Sequence, residues 1–354
     1  MVSLERTSPG LLTTAHDQRL SALLQQVSHD IEAAQSKQEL IEVINRVKTF
    51  GGPLKYNHRR LKLLAAATCL IALLAGIFAD DIFSQWNLSA TPAVIISGLC
   101  TLGLVVYMWR KSASVRASAE RLFLRALLFD NQLQELTSGL PTLEKALFAD
   151  YFEFRRGNYS RTISAAYAGH YQGDTHAFAY HFYHFHYVDE REVTETDSKG
   201  NTRTRKVYNH YDRYGIALNF RFIRQIAIIS KAISGVKGER YKPSSNQFNR
   251  LFKVTAETEM AAARFLKPAV VLACEEAATG FKALNLEFNQ QAGLCMSFDN
   301  KKVISGVQQY DFSSAEGFIR EVENVIPLPE LRKALEFIHT LMVYSDNNFK
   351  KDDE

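Results

Sequence analysis

Four histidines and six aromatic residues fall within thirteen positions, "HAFAYHFYHFHYV" at 176–188. Imidazoles at that density could ligate a metal, shuttle protons or respond to pH, because the neutral ring is a metal ligand and titrates near neutrality. In an extended strand, side chains alternate between two faces. Phe178, Tyr180, Phe182, His184, His186 and Val188 then share one face, and Ala177, Ala179, His181, Tyr183, Phe185 and Tyr187 share the other. His184 and His186 are the pair able to approach one ion, and His181 points away from them. A zinc ion needs a third and usually a fourth ligand within ~2.3 Å. A turn at "SKGN", 198–201, closes a hairpin that sets His184 opposite Gly215, His186 opposite Arg213 and His210 opposite Asp189. Glycine offers no side-chain ligand, and a cation is a poor neighbour for a metal. His170, Asp174 and His176 lie across a turn. The sequence therefore favours an aromatic strand covered on both faces over a metal site at His181, His184 and His186. No cofactor is expected.

The same hairpin carries charge beyond the aromatic stretch. One arm holds Asp189, Glu190, Glu192 and Glu195, and the other holds Arg203, Arg205 and Lys206. In the expected register Glu192 lies diagonal to Arg205, a cross-strand pairing that helps fix strand offset. The tip should project from the sheet, which makes Glu192, Arg203, Arg205 and Lys206 a candidate interaction surface. Other chemistry is missing from the sequence. There is no phosphate-cradling glycine loop, dinucleotide fingerprint, zinc-protease helix or serine-hydrolase elbow. Glu275 with Glu276, and Glu257 with Glu259, read as solvated edges. A formal charge of +4 gives no dense basic stripe for a nucleic acid.

The elements that position these residues begin with two uncharged apolar runs, at 63–79 and 93–109. Each gives about 25 Å of helix at ~1.5 Å per residue, and Lys62, Trp86, Tyr107 and Trp109 suit a lipid–water interface. The segment joining them, "DDIFSQWNLSATP", has no Lys or Arg. Arg46, Lys48, Lys55, Arg59, Arg60 and Lys62 precede the first run; Arg110, Lys111, Arg116 and Arg121 follow the second. The positive-inside rule then places both termini in the cytoplasm of a two-span protein of the inner (plasma) membrane. These basic flanks attract anionic headgroups, although their role as topology signals suffices to explain them. The beginning of the chain lacks the apolar stretch of a cleavable signal. Cys69, Cys100, Cys274 and Cys295 show neither metal nor disulfide spacing and read as packed thiols.

Residues 16–50 read as amphipathic helix divided near 35–39, with stripes of Leu20, Leu23, Leu24, Val27 and Ile31, then Leu40, Ile41, Ile44 and Val47. Their partner is the rest of the chain, another copy or another protein. Helix is expected to continue from the second run through 112–138 as a stalk, with a short helix at 142–152. From residue 157 the texture turns β-prone. Helix is expected at 268–281, opened by Pro268, and at 314–343, interrupted by Pro327 and Pro329. Short strands are expected at "NLEFN", "LCMSFD" and "KKVISGV". The last residues, "NNFKKDDE", read as frayed.

At "FNRLFKVTAETEMAAARFLKPAVVLACEEA", 248–277, the chain resembles a bacterial family of two-span membrane proteins catalogued as domain of unknown function 3137. The likeness is in an order of parts. An aromatic hairpin precedes a Phe-Lys-Val strand at 252–254. An acidic, alanine-rich turn leads to Ala263 and Arg264, and Pro268 opens a helix. Short strands and a closing helix follow, with two spans ahead of everything. The resemblance covers about residues 60–343 and implies a membrane-anchored cytoplasmic domain with no activity to transfer.

The expected architecture is α+β: a two-helix transmembrane hairpin and a cytoplasmic mixed domain, its mainly antiparallel sheet flanked by helices. Its expected divisions are N-terminal helices at 1–60, the hairpin at 61–110, a helical stalk at 111–156 and the α+β domain at 157–354. The expected role is a non-enzymatic binding or scaffold module whose partners are the bilayer and either a protein or a second copy, with no nucleic acid. The alternative is a metal-dependent protein or enzyme using His181, His184 and His186.

Overall fold

The computed structural model describes residues 14–77, 91–196 and 202–346. The opening residues, most of the segment joining the two apolar runs, the expected turn at 198–201 and the residues at 347–354 that the sequence reads as frayed lie outside the described residues. So do the last two positions of the first run.

The chain divides into two compact units, residues 1–127 with 307–326 and residues 128–306 with 327–354. These limits differ from the four-part division read from sequence: residues 307–326 return to the N-terminal helices. In that helical unit, α1 (Ala15–Ala33) starts with a capping box. Thr14 Oγ1 accepts from the Asp17 amide, and Asp17 accepts from that of Thr14. This satisfies two of the free donors at a helix start. At the start of α2 (Lys37–Lys48), Ser36 Oγ accepts from the Glu39 amide, and the Glu39 carboxylate accepts from the Gln35 amide. The expected stripes are buried: Leu20, Leu24, Val27 and Ile31 on α1, and Leu40, Ile41, Ile44 and Val47 on α2. The returning helix α9 (Ala315–Glu323) packs on α2, and Lys48 Nζ reaches Glu316 at 3.1 Å. Self-packing thus covers the amphipathic faces.

Helix α3 (Arg59–Ile77) and the 40-residue α4 (Thr91–Asp130) follow. The Thr68 and Thr101 hydroxyls meet at 2.8 Å, and His58 Nε2 meets Ser112 Oγ at 2.9 Å, so the two helices run side by side. Leu70, Ile71, Leu73, Ile95, Leu99, Leu102 and Trp109 are exposed. So are Cys69 and Cys100, which corrects their reading as packed thiols: the helices carrying them turn these faces away from protein. Val94–Asp130 is long and apolar enough, by length and composition, to cross a membrane. The helix ends at Asp130 rather than 138. Gln132 adopts φ 52°, and Gln134–Glu135 forms strand β1.

The second unit is built on one antiparallel sheet of nine strands, in the order β1-β2-β3-β4-β9-β8-β5-β7-β6. Its strands are β2 (Ser160–Gln172), β3 (Ala177–Thr196), β4 (Thr202–Asn219), β5 (Ile226–Ile229), β6 (Glu239–Tyr241), β7 (Lys253–Ala256), β8 (Asn285–Phe288) and β9 (Gly293–Phe298). Helix α5 (Leu140–Asp150) and the 3-10 turn Phe152–Arg155 cover one face, where Leu147, Phe154, Tyr183, Phe185, Tyr187 and Cys295 form a continuous core. Over the other face, Phe265 of α7 (Glu259–Phe265) meets Phe288, and Phe281 after α8 (Pro268–Gly280) meets Phe298, each pair with ring centroids 5.1 Å apart. The mixed, mainly antiparallel architecture is therefore as expected. Short helix α6 (Asn246–Leu251) leads into β7, and the long C-terminal element is broken near its prolines into α9 and α10 (Pro329–Asp346). "KKVISGV" is a turn rather than a strand. Only Val303 in it is buried, too few apolar anchors to hold a strand.

Gly215 sits where the hairpin joins the central strands, opposite Ser297. A Cβ there would collide with the Met296 carbonyl and the Tyr183 hydroxyl. Gly215→Ala should lower stability by about 1–3 kcal/mol, read as a shift in the urea midpoint. Gly280→Ala meets open space and should leave that midpoint within about 0.5 kcal/mol.

Candidate functional site

The hairpin is offset by one residue from the sequence reading. Thr196 pairs with Thr202, His184 with Tyr214, His186 with Asp212 and Val188 with His210. The neighbour of His186 is therefore a carboxylate, and Arg213 lies on the opposite face. His184 Nε2 and His186 Nδ1 both meet Asp212 Oδ1, at 2.8 and 2.9 Å. His186 Nε2 continues to His210 Nδ1 at 3.1 Å, and His184 stacks on Tyr214 with centroids 4.6 Å apart. Burial alone would raise the Asp212 carboxyl, but the bonds from His186 and His184 draw it below its usual range. Chemically this is a row of imidazoles sharing one carboxylate, able to pass a proton along the sheet surface. Both ring nitrogens of His186 are already engaged.

His181 faces the other way, half buried, and burial lowers its pKa. His176 goes to Asp346 at 3.4 Å instead. Among the described residues no three His, Cys, Asp or Glu side chains are arranged to hold a metal ion. Sequence reasoning missed Asp212 and His210, because it placed them one position along. Correct strand offset was the signal that would have found them.

Beyond Val188, the last β3 residue paired with β2, the hairpin runs on as a two-stranded arm from Asp189–Asn209 to Thr196–Thr202. Eight residue pairs at ~3.4 Å each make an arm about 27 Å long. Strand β9 joins β4 only from Tyr214 onward, so among the described residues both arm edges lack a strand partner. Glu192 faces Lys206 directly, rather than lying diagonal to Arg205. Lys206 Nζ bonds Glu190 at 2.8 Å, and Arg205 bonds Glu195 at 2.6 Å. Arg203 is exposed beside them. The four sequence-named residues thus share one arm.

On the α5 side of the sheet lies a buried ionic cluster the sequence did not announce. Arg213 is fully buried. Its Nε donates to Glu153 Oε1 at 2.6 Å, Nη1 to Asp299 Oδ1 at 2.6 Å and to the Ala283 carbonyl at 3.0 Å, and Nη2 to Ser297 Oγ at 3.0 Å. Burial would raise the Glu153 carboxyl, but the Arg213 and Arg156 cations hold it well below the usual range. The Phe152 and Glu153 amides donate to the two Glu287 oxygens, each at 2.8 Å. Burial and the Glu153 charge nevertheless push Glu287 up to about 7. Glu287 lines a cavity of about 420 Å³ with Tyr151, Phe152, Gln225, Lys237 and Glu257. A lone charge on an apolar stripe, Arg213 between Tyr211 and Gly215, was the available signal; Glu287 alternates with Asn285 on its face and carries none.

No protein-family model, curated protein or solved structure matches the chain.

Proposed function

We propose that the chain is a membrane-anchored cytoplasmic binding or scaffold module rather than an enzyme; its resemblance to domain of unknown function 3137 supports the membrane-anchored, cytoplasmic part of this reading. In this reading α3 and α4 form a two-span hairpin in the inner membrane, and both termini face the cytoplasm. The exposed apolar surfaces of the two helices and the basic residues at their ends support the anchor. The observation that carries the binding role is the arm: two long strands extending past the sheet whose edges, apart from Glu190 held by the Asn158 side chain, have no strand partner among the described residues and suit strand addition by a protein partner or second copy. An edge of this kind is otherwise a liability that folds cover.

Shortening the arm tests this. Residues 191–207 are replaced by an Asn-Gly turn, and cross-linked, detergent-solubilised membranes are compared. The intact chain should recover a stable partner or its own oligomer, and the shortened chain should lose it while keeping its far-ultraviolet spectrum. Equal recovery by the two, or none by either, would defeat the reading.

The second reading, a metal-dependent protein or enzyme at His181, His184 and His186, draws on the convergence of His184 and His186 upon Asp212. Elemental analysis of the purified chain separates the two. Stoichiometric transition metal that disappears in His184→Ala/His186→Ala would favour this second reading over the first.

A further inference from the structure

Where α3 begins, Tyr56, Asn57, His58, Arg59, Lys62 and Leu63 surround a cavity of about 460 Å³. Its wall is fixed from several directions within the helical unit. The Asn57 amide donates to Asp17 Oδ1 at 2.7 Å, His58 is bonded to Ser112 on α4, and Lys111 Nζ lies 5.2 Å from the Tyr56 ring centre while donating to Ser21 Oγ at 3.0 Å. The Arg59 and Lys62 side chains, by contrast, make no hydrogen bond or ion pair among the described residues, and no acidic residue lies in the first turn of α3. Two unpaired cations thus line the cavity. Leu63, 65% exposed, lines the same cavity and begins the apolar run of the helix.

That combination of chemistry matches a phospholipid in a bilayer: a phosphate with the cations and acyl chains along the exposed apolar residues from Leu63 onward. We propose that this cavity is a binding site for the headgroup of an anionic phospholipid of the inner leaflet. Arg59 and Lys62 hold the phosphate, and the surface from Leu63 onward lies along the acyl chains. The proposal rests on the reading of α3 and α4 as membrane-embedded. It goes beyond that reading because positive flanks orient a span without requiring a cavity or a particular lipid. A free phosphate would satisfy the cations but leave Leu63 against water, so the lipid is the better fit.

The test uses the full chain extracted from membranes of mixed phosphatidylglycerol and phosphatidylcholine, with retained lipid counted by native mass spectrometry. Phosphatidylglycerol should be retained and phosphatidylcholine not. Arg59→Gln/Lys62→Gln should weaken that retention roughly thirty-fold in apparent affinity. Lys301→Gln/Lys302→Gln, which removes the same charge from an exposed turn, should leave it unchanged. Equal loss in the control pair, equal retention of phosphatidylcholine, or displacement by millimolar inorganic phosphate would each overturn the headgroup site. An alkaline wash of the native membranes distinguishes the deeper failure. Release of the intact chain would remove the anchor itself, whereas a chain that stays while retaining no anionic lipid removes only this site.

Discussion

Arg213→Met is expected to destabilise the sheet-bearing unit by about 3–5 kcal/mol, the largest effect of any single substitution considered. The guanidinium is fully buried and reaches Glu153, Asp299, Ser297 and the Ala283 carbonyl together. Methionine keeps much of the stem volume but leaves two carboxylates short of a cation. Glu153 keeps Arg156 and the Asn285 amide, and Asp299 keeps Lys231, so loss toward the lower end of the range is expected. Arg213→Lys should cost nearly as much, because a single ammonium cannot span acceptors arrayed around a planar fork. Adding Glu153→Gln to Arg213→Met should recover part of the loss, since the penalty comes from an uncompensated charge and not from a missing contact. Urea unfolding of the full chain in detergent, followed by far-ultraviolet circular dichroism, measures all three. A loss under about 1 kcal/mol for Arg213→Met would mean that water or rearranged partners replace the guanidinium.

This cluster also marks where sequence reading reaches its limit. Alternation along β3 is legible, because Tyr183, Phe185 and Tyr187 are spaced two apart and all are buried. The offset between β3 and β4 is not. Both faces of β3 are aromatic, so a slip of one residue exposes no apolar stripe that would forbid it. The ladder closes at Thr196 and Thr202, which leaves five residues between the strands where the "SKGN" turn implies four. That single step moved Arg213 from the side of His186 into the core and brought Asp212 to both histidines. The amphipathic faces of α1 and α2 were equally legible, but their partner was not. A stripe of Leu40, Ile44 and Val47 states that something apolar must cover it, and only tertiary structure places α9, some 270 residues later, in that role. The meeting of Glu287 with the Phe152 and Glu153 amides has the same character. Neither partner carries a local pattern that names the other.

Glu287 should make stability fall as pH rises from about 4.5 to about 7. Its carboxyl has a model-compound value of 4.5 and is pushed up to about 7 in the fold, first by burial and then by the Glu153 charge. Below pH 4.5 it is neutral in both the folded and unfolded chain and imposes no penalty. Between the two values the unfolded chain releases the proton and the folded chain retains it, so the folded state loses ground. Above about 7 the loss is complete, at about 3 kcal/mol for a displacement of this size. Glu153 acts with the opposite sign in a lower window: its depressed value stabilises the fold above about 4.5, and that contribution is lost as pH falls through the folded value. His181, whose value burial depresses, adds stability with rising pH inside the same upper window. The decisive readout is therefore the difference between the intact chain and Glu287→Gln, in which the contributions of Glu153 and His181 largely cancel. The variant loses one acceptor for a backbone amide, so it should be less stable than the intact chain at pH 4.5. The gap should shrink by about 3 kcal/mol toward pH 7.5 and so close or reverse, because only the intact chain carries the ionisation penalty. A gap that stays constant across that range would mean that the two amide bonds hold Glu287 ionised despite its burial.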